Sequence, residues 1–156
     1  MRNTMKNQTE NQKKIWESLE MVTLRANATI WFLCDVVFSV IYTAGREGEL
    51  AWMLFGLLQV VFIPFLGFFL WRMWNICRKA EAYTFHRCTL STPHFKPFIR
   101  SYYFDVLIRT EEEAFVTETH AIFAPYGVVP PLMHEYINKT VTVGYNPETD
   151  MIVVIG

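Results

Sequence analysis

The sequence predicts an α+β membrane protein in which a transmembrane hairpin of two helices precedes a small, mostly antiparallel β-domain of five strands. Residues 50–71 contain no charged side chain and residues 28–44 are also strongly apolar, whereas apolar and polar residues alternate in the C-terminal half. Hydrophobic residues form 52% of the chain and aromatic residues 16%, which exceeds the usual share in a soluble domain. We therefore divide the chain into a cytoplasmic N-terminal segment at 1–27, the hairpin at 28–74 and a cytosolic β-domain at 80–156.

The composition and the motifs that the chain lacks exclude several functions. A net charge of −1 provides no general attraction for nucleic acid, so a nucleic-acid duplex is not an expected partner. Cys34, Cys77 and Cys88 do not form a disulfide framework, which favours a reducing compartment. The chain has no Walker loop and no GxGxxG, GxSxG or CxxC motif. We expect neither enzyme activity nor a cofactor.

The N-terminal segment is polar at first and then becomes compatible with a helix. Thr9 and Gln12 have the spacing of a capping box, and Ile15, Leu19 and Val22 share one helical face. Such a helix lies on a membrane surface, packs against a partner subunit, or simply leads into the first span. The lead-in is the favoured interpretation.

The two apolar segments have the lengths and the connection of a transmembrane hairpin. Residues 50–71 span about 33 Å as a helix, because each residue adds about 1.5 Å, and this covers the hydrocarbon core of a bilayer. Residues 28–44 are shorter and include Asp35. The polar connector at 45–49 is short, so the two helices are expected to be antiparallel neighbours.

The distribution of basic residues predicts the orientation of the hairpin. Basic residues accumulate outside both spans: Arg2, Lys6, Lys13, Lys14 and Arg25 before the first, and Arg72, Arg78 and Lys79 after the second. The connector has only Arg46, beside Glu47 and Glu49. By the positive-inside rule, the protein is a multi-pass protein of the inner membrane with both termini in the cytoplasm.

Three polar residues within the spans form a predicted membrane seam, which we define as Asp35, Ser39 and Gln59. An ionisable group in mid-bilayer costs about 2.5–3.5 kcal/mol on insertion scales. Asp35 lies nine residues before the end of the first span and Gln59 nine residues after the start of the second, so both are expected at one depth. In one interpretation, the seam forms a homo-oligomer interface or lines a water path. In the other, it makes one hydrogen bond inside a structural hairpin. Both interpretations remain open, and we expect a homo-oligomer.

Five strands are predicted from the alternation of apolar and polar residues: 81–90, 98–109, 114–124, 139–145 and 151–155. A turn at 146–148 joins the last two, and a short helix is expected at 132–136. Five antiparallel strands of this length indicate a small barrel or sandwich.

Two segments of the C-terminal half carry a resemblance. Residues 138–148 read NKTVTVGYNPE and residues 101–106 read SYYFDV. The former resembles the closing hairpin, and the latter the tyrosine-rich strand, of a bacterial family of membrane-linked small β-domains of unknown function. The resemblance implies an architecture and no activity. In architecture alone, two spans with a cytosolic ligand domain are similar to membrane effectors of prokaryotic antiviral signalling.

A cationic and aromatic group follows the first predicted strand. The candidate ligand-binding residues are His94, Lys96, Arg100 and Tyr103, with Arg87 and Arg109 on the flanking strands. Cations beside aromatic rings suit a phosphate-bearing ligand with a stackable base, such as a nucleotide second messenger. The plainer and favoured alternative is an ordinary charged surface, balanced by Glu111, Glu112, Glu113 and Glu118.

Two functions therefore compete. In the first, the β-domain senses a small anionic ligand and acts on the membrane through the helices. In the second, the protein is an accessory or immunity-type subunit whose β-domain binds another protein. No metal site is predicted, because His86 and Cys88 share a strand face without a second pair of ligands at zinc spacing.

Overall fold

The structure is a computed structural model that describes residues 10–44, 48–109, 114–123 and 131–156. The chain forms two compact units. One contains the described residues of Met1–Thr23 and Ile76–Gly156, and the other is Leu24–Asn75. The predicted Arg46 and Glu47 of the connector, Thr9, and Glu111 to Glu113 lie outside the described residues.

Two long apolar helices precede the strands, as the sequence predicts. Helix α1 covers residues 10–16, α2 is Leu19–Thr43 and α3 is Glu49–Cys77. Helices α2 and α3 are both long and apolar enough to cross a membrane. They include nearly all of the predicted spans. Each helix also continues for several residues beyond its predicted span, into the polar residues on the side away from the connector.

Helices α2 and α3 pack side by side through aromatic and polar contacts within the second unit. The ring of Trp31 stacks on Phe65 at 4.7 Å between centroids and meets Phe62 edge-on at 5.4 Å. Four residues further along α2, Asp35 contacts Gln59, which precedes Phe62 in α3. The contacts move toward higher residue numbers in α2, from Trp31 to Asp35, and toward lower numbers in α3, from Phe65 to Gln59. The two helices are therefore antiparallel.

The described C-terminal residues contain eight strands, where the sequence predicted five. They are β1 Thr84–Thr89, β2 His94–Lys96, β3 Ser101–Tyr103, β4 Asp105–Arg109, β5 Ala114–Glu118, β6 Ile122–Phe123, β7 Thr140–Asn146 and β8 Met151–Ile155. They form three antiparallel sheets, ordered β1-β7-β8, β2-β3-β6 and β4-β5. The short helix α4, Pro131–His134, precedes β7.

Two predicted strands are interrupted, and one predicted loop contains a strand. The predicted strand 98–109 breaks at Phe104, whose N–H bonds the Thr119 hydroxyl while its carbonyl accepts the Thr119 N–H. The same exchange interrupts the predicted strand 114–124 between β5 and β6. Residues 94–96, predicted as a loop, form β2, and Pro97 then starts a 3₁₀ turn because its ring fixes φ near the helical value.

The core of the first unit combines strands with the start of α2. Leu19 belongs to the same buried cluster as Phe104, Ile108 and Ile152. Ile15, on α1, is also completely buried. Residues 10–23 therefore pack as part of the β-domain, since their apolar side chains complete its core.

Glu20 is a fully buried carboxyl group in the first turn of α2. Its Oε2 accepts a hydrogen bond from the Val154 N–H at 2.8 Å, whereas no described group bonds Oε1. Burial raises the pKa of Glu20 from 4.5 to about 8, although the bond from Val154 opposes the shift. Glu20 also contributes to the raised pKa values of Tyr83 and Tyr136, for which burial is the main cause.

Glu20 predicts that the protein loses stability as the pH rises. The folded state retains a proton that the unfolded state releases between pH 4.5 and about 8, so the free energy of unfolding falls through this window. The fall is about 1.4 kcal/mol per pH unit at most. Thermal unfolding of the full chain in nanodiscs, from about pH 5 to 9, measures it. Glu20→Gln should flatten the profile and the exposed Glu17→Gln should not; equal slopes in all three proteins contradict the prediction.

Candidate functional site

The β4–β5 hairpin places two carboxylates directly opposite each other. Asp105 at the start of β4 pairs with Glu118 at the end of β5, and both are exposed. Like charges at opposed positions of an antiparallel pair repel each other and destabilise the sheet. The pair therefore requires a nearby positive charge.

The β2–β3 hairpin supplies basic and aromatic groups to this pair. His94 lies opposite Tyr103 in the register of β2 and β3, and their rings stack at 5.7 Å with 16° between the planes. Lys96 Nζ lies 4.4 Å from the centre of the Tyr103 ring. Tyr103 and Asp105 are separated by Phe104 alone, so the bend at this residue brings the two hairpins together.

The four charged or titratable side chains make a connected cluster, which we call the His94 cluster: His94, Lys96, Asp105 and Glu118. His94 Nε2 is 3.3 Å from Glu118 Oε1, and Nδ1 is 3.9 Å from Asp105 Oδ2. Lys96 Nζ donates a hydrogen bond to Glu118 Oε2. This bond holds the pKa of Glu118 below its usual value. With a neutral imidazole the cluster has a net charge of −1.

The structure brings together only some of the sequence-predicted ligand residues. His94 and Lys96 belong to the His94 cluster, and the Tyr103 ring contacts both of them. Arg100 ends the 3₁₀ turn with a left-handed φ of 45°, and its side chain is exposed. Arg87 lies on β1 in a different sheet, opposite Thr142.

The remaining candidates lie elsewhere in the fold. Arg109 is the last residue of β4. His86 faces the Thr84 hydroxyl at 2.9 Å, and Cys88 is buried in the core. Among the described residues, the side chains that are grouped closely enough to hold a metal ion are instead His94, Asp105 and Glu118.

Sequence reasoning missed the two carboxylates of the cluster. In the alternating pattern, Asp105 is simply one polar position of a strand. Glu118 was assigned to the acidic residues that balance the charge of the cationic group. A signal was present, because a hairpin centred between residues 111 and 112 pairs 105 with 118. The alternation alone does not reveal this register, because it leaves the position of the turn open.

The membrane seam forms a second polar group, within the helical unit. Gln59 Nε2 donates to Asp35 Oδ1 at 2.8 Å, and the Ser39 hydroxyl donates to the same oxygen at 3.3 Å. The amide nitrogen and the hydroxyl oxygen are 3.4 Å apart. A hydrogen bond inside the hairpin, one of the two interpretations that the sequence left open, is therefore present.

Comparisons with known protein families, with curated proteins and with solved structures found no match to this chain. The function must therefore be argued from the residues of the chain itself.

The seam geometry predicts energetic coupling between Asp35 and Gln59. In a double-mutant cycle with Asp35→Leu and Gln59→Leu, the double variant should lose less stability than the two single losses added together. The expected coupling is about 0.6–1.7 kcal/mol, the range for hydrogen bonds between membrane helices. Unfolding in mixed micelles measures the stability, and mass measurement in nanodiscs measures the oligomer. Additive losses, together with dissociation of an oligomer in Asp35→Leu, would instead assign the seam to a subunit interface.

Proposed function

We propose that the protein is a non-enzymatic, two-span protein of the inner membrane whose cytosolic β-domain senses a ligand and acts on the helices. The observation that carries the membrane assignment is the exposed apolar surface of α3. Trp52, Leu57 and Val60 are 75%, 66% and 72% exposed. Apolar surface costs about 25 cal/mol per Å² in water, so enclosure of these side chains by a bilayer would stabilise the helix, which supports the membrane assignment.

The chain offers two direct connections between the sensing domain and the spans. Helix α2 is unbroken from Leu19, in the core of the β-domain, to Thr43 in the apolar segment. Only a 3₁₀ turn, Ala80–Ala82, and a few flanking residues separate α3 from β1. Both connections are therefore short and contain helical residues, which supports a role for them in relaying a change from the β-domain.

The second connection is itself fixed to the β7–β8 turn. Lys79 has a left-handed φ of 58°, and its carbonyl accepts a hydrogen bond from Asn146 Nδ2 at 3.3 Å. Lys79 Nζ lies 2.5 Å from Glu148 Oε2. The Tyr83 hydroxyl donates to the Ile76 carbonyl at 3.1 Å. These bonds support transmission of force from the strands to α3.

For the ligand we propose a small anion with a stackable base, such as a nucleotide second messenger of the kind used in antiviral signalling. Lys96 and His94 on the Tyr103 ring supply the cationic and aromatic groups that such a ligand needs. An anion must displace Glu118 from Lys96, so the carboxylates oppose its binding.

The competing candidate is an accessory or immunity-type subunit whose β-domain binds a protein. Phe98, in the turn between β2 and β3, is fully exposed, and Phe95 on β2 is 36% exposed. Exposed aromatic side chains are typical anchors of protein interfaces. This observation favours a protein partner at the hairpin tip.

The topology proposal predicts opposite labelling of the connector between the two spans and of the β-domain. In a variant without native cysteines, a cysteine at Glu47 should react with an impermeant maleimide in intact cells, because the connector faces outward. A cysteine at Glu148 should react only after the membrane is opened. Labelling at Glu148 and protection at Glu47 in intact cells would reverse the topology.

The anionic-ligand proposal predicts opposite effects for two neighbouring substitutions. In a nucleotide screen of the full chain by thermal shift and calorimetry, Lys96→Ala should weaken binding about tenfold, because a charge-assisted bond is lost. In the chelator-treated, metal-free protein, Glu118→Gln should strengthen it, because Lys96 becomes available. The exposed Lys13→Ala is the matched control. If no nucleotide shifts the melting point, the protein-binding alternative replaces this proposal.

A further inference from the structure

We propose that His94, Asp105 and Glu118 bind a divalent first-row transition-metal cation, such as Zn²⁺ or Mn²⁺. The three side chains come from β2, β4 and β5, and one donor atom from each lies within 4.8 Å of the others. The inference does not depend on the proposed ligand or on the membrane topology. It rests on the geometry and the charge of the His94 cluster.

The imidazole and Glu118 are already at the separation of two metal ligands. Two atoms that each lie about 2.0–2.1 Å from Zn²⁺ at a tetrahedral angle are about 3.3–3.4 Å apart. The distance from His94 Nε2 to Glu118 Oε1 is 3.3 Å. Asp105 Oδ2 lies 3.9 Å from the other ring nitrogen, Nδ1, so this side chain must rotate to reach an ion at Nε2. Its side chain is 54% exposed, and the rotation does not disturb the core.

The pairing of β4 with β5 places the two carboxylates side by side. Asp105 and Glu118 are direct partners in the register of β4 and β5. The like-charge repulsion between them disfavours this register unless a positive charge compensates it. Lys96 supplies one charge to two carboxylates, which leaves one negative charge for a bound cation.

Lys96 and Tyr103 orient the ligands and do not occupy the metal position. Lys96 Nζ bonds Glu118 Oε2, which leaves Oε1 facing the imidazole. Tyr103 stacks on the His94 ring and fixes its plane. Outer groups that orient ligands in this way commonly strengthen metal binding tenfold or more.

The donor set defines the class of cation. One imidazole with two carboxylates suits Zn²⁺ and Mn²⁺, whereas Mg²⁺ prefers oxygen ligands alone and soft cations prefer thiolates. Three protein ligands leave coordination positions for water or for an exogenous ligand. The three side chains are 36–54% exposed, so an ion can reach the site from solvent.

The test is isothermal titration of the chelator-treated full chain, in nanodiscs and without a histidine tag, with Zn²⁺, Mn²⁺ and Mg²⁺. We expect one Zn²⁺ or Mn²⁺ per chain and at least tenfold weaker Mg²⁺ binding. His94→Ala, Asp105→Asn and Glu118→Gln should each lower the affinity at least tenfold. The control is His86→Ala, which removes a histidine from β1. Circular dichroism checks that each variant is folded.

The wild-type protein provides a readout that does not depend on the variants. Mn²⁺ should broaden the nuclear resonances of residues 94, 105 and 118 before those of residue 86, because paramagnetic relaxation falls steeply with distance. The proposal is overturned by absent binding at millimolar Zn²⁺, by equal affinity for Mg²⁺, by unchanged affinity in the three folded variants, or by broadening centred elsewhere.

Discussion

The hydrogen bond from the Val154 N–H to Glu20 connects the start of α2 to the edge of the β1-β7-β8 sheet. Strand β8 is the last strand in the order β1-β7-β8, so no described strand pairs with its outer N–H and C=O groups. Glu20 accepts from Val154, and the His120 N–H donates to the Ile152 carbonyl at 2.7 Å. These contacts satisfy groups that would otherwise invite pairing with another chain. They also fix the helix that continues into the apolar segment.

Because the Glu20 carboxyl is buried, the stability of this connection depends on whether the group carries a proton. A buried carboxylate is strongly disfavoured, and the group avoids this penalty by retaining its proton. An apolar side chain would fill the same space but would leave the Val154 N–H without an acceptor. The bond therefore gives the start of α2 a defined hydrogen-bonding partner on β8.

The sequence predicted the features that depend on local patterns, and it missed those that depend on distant contacts. The two apolar helices follow from composition, and β7 and β8 were placed to within one residue because a short turn joins them. The break at Phe104 depends on Thr119, fifteen residues away, and the burial of Glu20 depends on a strand 134 residues away. The cationic residues were visible in the sequence, but their carboxylate partners required the register of β4 and β5. The sequence pattern did not identify these partners, since charge balance is a property of the folded sheet.

The same register relates the proposed anionic ligand to the proposed metal cation, although the two on their own require sites of opposite charge. With neutral His94, the two carboxylates and Lys96 give the cluster a net charge of −1, which would repel an anion. A divalent cation between His94 and the carboxylates would change this charge to +1 and would leave open coordination positions for a phosphate oxygen. Binding of the cation and of the anion would then be linked, and each would raise the affinity of the other by the same factor. The cross-strand carboxylates, which oppose an anion in the metal-free protein, would become the groups that allow its recognition.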